Sequence, residues 1–201
     1  MNRRVWGVLL ILLMICLSCS EVKEYVNIAK DEHISKEYIA ALDTWTRDKT
    51  VYAQFETRVR IAATYKSTEF KDAYLTEFSR VYLLTDSEIK VRRAGLVEVA
   101  SDFEEFLFYA YIPEKDANDF AKPRSIWKVF LVDSEGKRYY PIELRHIEKI
   151  TPVIEEFFPY VKRHYGKFYS VKFAPFDTPG KLNLIFTSTA GKVELTWDNN
   201  G

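Results

Sequence analysis

Residues 103–112 read Phe-Glu-Glu-Phe-Leu-Phe-Tyr-Ala-Tyr-Ile, and the prediction of the fold starts from this stretch. Side chains of a strand point alternately to its two faces. Here both alternating sets are apolar or aromatic, Phe106, Phe108, Ala110 and Ile112 on one side and Phe103, Leu107, Tyr109 and Tyr111 on the other. Such a strand is covered on both faces. We therefore predict that residues 103–112 form a central strand of a sheet.

Residues 68–100, just before this strand, predict two helices. Apolar side chains recur at helical spacing from Phe70 to Tyr82, and Ser67 or Thr68 is a suitable N-cap. A second helix begins after Thr85, which can form a capping box with Glu88. We expect these helices to be inserted between strands and to supply one of the two covers of the central strand.

Alternation of apolar and polar side chains predicts further strands. The clearest is residues 55–65, in which Phe55, Val59, Ile61 and their partners alternate with charged residues. Other strands are predicted at residues 126–132 and 167–173, and a final hairpin is predicted over residues 182–197. This pattern predicts seven or eight short strands, mostly joined as hairpins.

Turn and cap residues predict how these elements connect. The turn Asp133–Gly136 should form a hairpin, after which Lys137 to about Ile150 returns antiparallel to residues 126–132. Ser35 can cap a helix that ends near Trp45, but Thr44-Trp45-Thr46 favours strand, so residues 35–45 are either helix or strand. Thr151-Pro152 begins a short helix that ends before Pro159.

The fold class that fits this order best is mainly β, an immunoglobulin-like antiparallel β-sandwich with a helical insertion at about 68–100. The strand number and the alternation favour it, although the cysteine and tryptophan hallmark of antibody domains is missing. The alternative is an α+β fold in which the helices pack on one sheet. Either fold makes residues 35–201 a single globular domain.

The first nineteen residues have a different character. Two arginines, Arg3 and Arg4, precede an almost entirely apolar run from Val5 to Leu17, and Ser18-Cys19 follows. A basic start, a short apolar run and a small residue are typical of a secretory signal peptide. The Leu17-Ser18-Cys19 ending resembles the lipobox of bacterial lipoproteins, although Cys16 stands where that family prefers Leu, Val or Ile.

The lipoprotein resemblance implies that residues 1–18 are a cleaved signal peptide and that Cys19 carries the lipid. Residues 19–34 are then a polar tether, and Ser20 resembles the residue after the cysteine in lipoproteins sorted to the outer membrane of Gram-negative bacteria. The implied partner is the membrane, bound through acyl chains on Cys19. Cys16 and Cys19 are the two cysteines of the sequence, so the expected mature domain has neither a disulfide nor a catalytic thiol.

Composition and motifs argue against several functions. Without Arg3 and Arg4 the chain has two more acidic than basic residues, so we expect no binding to nucleic acid. A metal or acid-base site on His146, Glu148 and His164 is conceivable, but the spacing is commonplace. Glu104-Glu105 and the pair Asp116 and Asp119 are interpreted as solvated. We expect no cofactor, no metal and no enzymatic activity, and a hydrolase is the weakest hypothesis.

The leading functional hypothesis is a cell-envelope binding or assembly module that acts through surface contacts with another envelope protein. Two aromatic-proline corners could provide such a contact surface, with Phe157, Phe158 and Tyr160 in one and Phe176 in the other. The simpler interpretation is that these residues fill the open end of the core. The alternative hypothesis is a carrier of a small apolar ligand, with a pocket between the helical insertion and the central strand, lined by Phe106, Phe108, Tyr109 and Tyr111.

Overall fold

A computed structural model describes residues 33–100, 102–176 and 180–199. Cys19, the predicted signal peptide 1–18 and nearly all of the predicted tether 19–34 lie outside the described residues. One compact unit begins at Ile34, which is itself buried.

Four α-helices and nine strands occur in the described ranges. The helices are α1 Lys36–Trp45, α2 Thr68–Val81, α3 Asp86–Ala100 and α4 Pro152–Phe157. The first strands are β1 Thr46–Ala53, β2 Glu56–Tyr65 and β3 Glu104–Tyr111, and the middle strands are β4 Lys128–Val132, β5 Arg138–Tyr139 and β6 Glu143–Ile147. The last are β7 Lys167–Phe173, β8 Gly180–Ser188 and β9 Gly191–Asn199. The domain is therefore mainly β, as predicted.

The strands form two antiparallel sheets that pack face to face as in a β-sandwich. One sheet has the order β1-β2-β3-β7-β6, and the other has the order β5-β4-β8-β9. Alternate residues of both sheets fill the space between them, including Ile61, Phe108, Val171, Leu184 and Trp197. This shared apolar layer joins the two sheets, since it removes the inner face of each from water.

The prediction for residues 103–112 is confirmed, because β3 is the third of five strands and is covered on both faces. Phe106, Phe108 and Ala110 face the core between the sheets. Leu107 and Tyr109 face the opposite side, where helices cover the sheet. The doubly apolar pattern of this strand thus reflects burial on two sides.

A second apolar cluster lies on the outer face of the five-stranded sheet. It joins Tyr38 of α1, Phe70 of α2 and Phe157 of α4 to Tyr109 and Phe168 of the sheet. The two predicted folds, a β-sandwich and an α+β fold with helices on one sheet, each describe part of the molecule. The chain forms three layers, helices on one sheet and that sheet on the other.

The N-cap residues identified in the sequence predicted where the helices begin. The side chains of Ser35, Ser67 and Thr151 accept hydrogen bonds from backbone N–H groups of α1, α2 and α4. At the start of α3, the Thr85 N–H donates to Glu88 at 2.8 Å, and the Glu88 N–H donates to the Thr85 hydroxyl at 3.4 Å. These bonds satisfy N–H groups that have no partner within the helix.

One strand prediction is wrong, because residues 137–150 do not return as a single strand beside β4. Only Arg138–Tyr139 pairs with β4, whereas Glu143–Ile147 pairs with β7 in the other sheet. Pro141 lies between the two segments and has no N–H to continue a ladder. The chain therefore changes sheets at this proline, and the Ile142 N–H bonds to Lys172 in the new sheet.

Candidate functional site

The aromatic corners do not form the contact surface that the leading hypothesis requires. Phe157 is 2% exposed, Phe158 is 5% exposed and Phe176 is 9% exposed, while Tyr160 is half-buried and its hydroxyl lies 2.8 Å from that of Thr64. The prediction that these residues form an exposed contact patch is therefore wrong. The simpler interpretation, that these residues fill the open end of the sandwich core, holds for Phe176, which packs between the sheets. Phe157 and Phe158 are buried in the separate cluster beneath the helices instead.

The four residues predicted to line a ligand pocket do not face one cavity. Phe106 and Phe108 are fully buried between the two sheets, whereas Tyr109 lies on the helix-covered face of β3. Tyr111 shares that outer face and lines a surface groove of about 810 Å³. Alternate side chains of a strand cannot point into the same space, so the predicted lining is wrong.

A pocket nevertheless exists between the helical insertion and β3. Its cavity volume is about 160 Å³. The lining residues come from the segment just before α2, from α2, α3 and β3, and from the segment after α4. They are mostly apolar and include two lysines: Lys66, Phe70, Lys71, Tyr74, Leu96, Leu107 and Phe158. The location agrees with the ligand-carrier hypothesis, although the lining residues differ from the predicted ones.

Local structure explains how this pocket forms. Leu107 points outward from the middle of β3, where the helices leave it only partly buried. Phe70 and Tyr74 are four residues apart on α2, so they lie on one face of the helix above the sheet. Leu96 closes the pocket from α3, and Phe158 contributes a wall from beyond α4.

An ion pair between Lys66 and Glu105 lies at one edge of the pocket. The Lys66 ammonium donates to the Glu105 carboxylate at 2.5 Å, and the Ser170 hydroxyl donates to the other carboxylate oxygen at 2.6 Å. Burial alone would raise the pKa of Glu105, but Lys66 and Ser170 outweigh it and hold that pKa below its usual value. The interpretation of Glu105 as solvated was therefore wrong, because the fold supplies this carboxylate with a cation and a hydroxyl donor.

Lys71 is the second lysine of the pocket, and its ammonium has no ion-pair or hydrogen-bond partner among the described residues. The side chain is half-buried. Burial lowers the pKa of Lys71, with Lys66 acting in the same direction and Glu104 and Glu105 against it. Among the described residues, the pocket therefore has one lysine that is paired with a carboxylate, Lys66, and one that is not, Lys71.

From Asp86 to Gly95, helix α3 buries little of its surface against the domain. Every residue from Asp86 to Gly95 except Ile89 is exposed. Arg93 forms a surface ion pair with Asp72, and Arg92 lies 4.7 Å above the Phe78 ring. Exposed contacts of these kinds contribute little each. We therefore expect α3 to open at lower free energy than the sheets, which would give a ligand access to the pocket.

Two exposed apolar side chains occupy unusual backbone positions. Phe55 is fully exposed in the turn between β1 and β2, where Gln54 and Phe55 have φ of 51° and 65°. Leu83 is 87% exposed between α2 and α3 and has φ of 51°. Asn and Gly usually occupy such positions. The sequence has neither at residues 54–55, which is why the predicted strand begins at Phe55 whereas β2 begins at Glu56.

The histidine site is not assembled. His164 is exposed, and His146 is half-buried with its ring 5.2 Å from the Tyr169 ring. Burial and the charge of Lys167 lower the pKa of His146, against a smaller opposing effect of Glu148. Within the described part of the chain, no group of three His, Cys, Asp or Glu side chains could hold a metal ion.

A search of the helices in the described ranges finds none that is both long enough and apolar enough to cross a membrane. Within the described ranges, the pocket with its two lysines and the exposed apolar turns are features from which a function can be argued. Comparisons with models of protein families, with curated proteins and with solved structures found no significant match to this chain.

Proposed function

We propose that this protein is a lipid-anchored cell-envelope protein whose folded domain binds a small apolar ligand between α2, α3 and β3. The observation that carries the binding part is the pocket of about 160 Å³ with a mostly apolar wall. An engineered apolar cavity of about 150 Å³ in another protein is large enough to bind benzene. A ligand of one ring or a short acyl chain therefore fits the space.

The exposure of Asp86–Gly95 supports a binding function over a purely structural one. A cavity beneath a firmly packed helix would stay closed, whereas we expect this part of α3, which buries few side chains, to open more readily than the sheets. Among the described side chains of α3, Leu96 lines the pocket. Opening of α3 would therefore remove the wall that Leu96 provides.

Filling the pocket from α3 is expected to weaken ligand binding strongly. Leu96→Trp places a larger side chain in the cavity, and we expect it to weaken binding of the neutral probe 4-fluorobenzyl alcohol at least tenfold, which corresponds to about 1.4 kcal/mol. Fluorine NMR titration measures the affinity. The matched control is Val91→Trp, on the same helix and 73% exposed, which should bind like the wild type. Equal affinity of the two variants would show that the probe binds elsewhere.

The membrane anchor is inferred from the sequence. Cys19→Ser is expected to abolish incorporation of radiolabelled palmitate and to move the protein out of the membrane fraction. The reason is that bacterial lipoproteins, which this segment resembles, carry the lipid on the sulfur of this cysteine. Cys16→Ser should keep the label, since Cys16 would leave with the signal peptide. If Cys16→Ser lost the label and Cys19→Ser kept it, the lipid would be attached to Cys16 instead of Cys19.

The order of the strands supports a closer relation to immunoglobulin-like sandwiches. The orders β2-β3-β7-β6 and β5-β4-β8-β9 correspond to strands A-B-E-D and C′-C-F-G of such domains. The helical insertion then lies between strands A and B, and β1 is an additional edge strand. We infer that the domain is a variant of this topology.

A binding or assembly module that acts through surface contacts is the second candidate. The residues first expected to form its contact surface are mostly buried, but Phe55 and Leu83 are highly exposed in left-handed backbone conformations. Large apolar residues at such positions depart from what local folding favours, and such departures concentrate at functional sites. This candidate ranks second because these turns define no enclosed site.

A further inference from the structure

We propose that the ligand of the pocket is a small monocarboxylate with an apolar tail, such as an aromatic or short-chain acid, and that the Lys71 ammonium binds its carboxylate. This inference rests on the proposed ligand-binding function and names the chemical class of the ligand. It follows from the size of the cavity and from which polar groups around it already have partners.

The apolar wall selects the tail of the ligand. Phe70, Tyr74, Leu107 and Phe158 surround the cavity with aromatic and aliphatic surface, and Leu96 covers it. A cavity of about 160 Å³ admits one aromatic ring or a chain of a few carbons. Removal of such a tail from water is favourable in proportion to its apolar surface, so the tail itself contributes to binding.

Glu104 and Glu105, the two described acidic groups that act on Lys71, already accept hydrogen bonds. Glu105 accepts hydrogen bonds from Lys66 and Ser170, and Glu104 accepts one from the Tyr65 hydroxyl at 2.8 Å. An amine ligand would therefore have to compete with existing donors for a carboxylate. A ligand that offers an acceptor meets no such competition.

Among the described residues that line the pocket, Lys71 is the charged donor that remains. Lys66 is held by Glu105, whereas Lys71 has no ion-pair or hydrogen-bond partner among the described residues. Its half-buried position makes the charged form costly, which is why burial lowers the pKa of Lys71. A bound carboxylate would compensate this cost with a charge-assisted hydrogen bond, which is stronger than a bond between neutral groups.

The experiment compares three probes that share one ring, 4-fluorobenzoate, 4-fluorobenzyl alcohol and 4-fluorobenzylamine, by fluorine NMR titration of the full chain. We expect the wild type to bind the carboxylate about tenfold more tightly than the alcohol and to bind the amine most weakly, given the greater strength of charged hydrogen bonds. Lys71→Met should remove the preference for the carboxylate while changing the affinity for the alcohol less than about twofold. The control is Lys90→Met, an exposed lysine of α3, which should keep the preference.

The outcomes separate this inference from the proposed function. Equal affinities for the carboxylate and the alcohol, a preference for the amine, or an unchanged preference in Lys71→Met would overturn the carboxylate assignment while leaving a ligand pocket. Absence of binding by all three probes, in a wild type that is folded by circular dichroism, would overturn both.

Discussion

Replacing Phe108 with alanine is expected to lower the free energy of unfolding by about 4 kcal/mol, within the range of large-to-small core substitutions. Phe108 is fully buried at the centre of β3. Its ring centroid lies 4.9 Å from those of Tyr169 and Phe186 and 5.3 Å from that of Phe120. These residues come from both sheets and from the loop before β4. The substitution leaves a cavity where the layers meet, and the surrounding rings cannot close it.

Urea unfolding followed by circular dichroism measures this loss. Phe55→Ala is the matched control, because Phe55 is also a phenylalanine of the five-stranded sheet region but is fully exposed in a turn. We expect its effect to stay within about 0.5 kcal/mol, as for most surface substitutions. If both variants lost the same stability, the assignment of Phe108 to the core would be wrong.

Replacing Glu77 with glutamine is expected to lower the free energy of unfolding by about 2 kcal/mol at neutral pH, the size of charged hydrogen bonds in a buried site. Glu77 is 2% exposed on α2. Its carboxylate accepts hydrogen bonds from the Ser35 N–H at 2.8 Å, the Ser35 hydroxyl at 2.6 Å and the Arg80 guanidinium at 2.6 Å. Glu77 thus connects the N-cap of α1 to α2. The Arg80 side chain is half exposed, so solvent screens part of the interaction.

The pH dependence gives this prediction a definite sign. Hydrogen bonds from Arg80, together with those from Ser35, overcome the effect of burial and lower the pKa of Glu77 from 4.5 to about 2. A carboxylate with a lowered pKa stabilises the folded state above its unfolded pKa, and this stabilisation is lost as the pH falls through the folded pKa. The difference between the wild type and Glu77→Gln should therefore be complete above pH 4.5 and shrink toward about pH 2.

Unfolding titrations at several pH values test this dependence. Glu69→Gln on the same helix is the control, since Glu69 is exposed and should change stability by less than about 0.5 kcal/mol. A difference between the wild type and Glu77→Gln that stays constant from neutral pH to pH 2 would contradict the ionised Glu77 network.

The predictions of the central strand and of the helix starts, which depend on neighbouring residues in the sequence, agree with the structure. The doubly apolar pattern of residues 103–112 identified the central strand, and Ser35, Ser67, Thr85 and Thr151 marked the starts of the helices. These signals are local, because a strand alternates its faces and a helix start must bond its own N–H groups.

The candidate site was predictable in location but not in its residues. The helical insertion precedes β3 in the chain, so a pocket between them could be expected. Which face of β3 the helices cover is set by the packing of α1, α2 and α4, whose residues are distant in sequence from β3. The prediction therefore combined residues from both faces, Phe108 from the inner one and Tyr109 from the outer one.

By itself, the sequence determined the mainly β class, the helical insertion and the helix starts, because each depends on the backbone geometry of consecutive residues. Only the tertiary structure decided that the chain changes sheets at Pro141, that Glu105 is buried beside Lys66 and Ser170, and that Phe157 and Phe158 lie in the core. The physical reason is that burial and ion pairing depend on residues far apart in the chain. The pocket with Lys71 at its edge belongs to this second group, since its walls come from four separate segments.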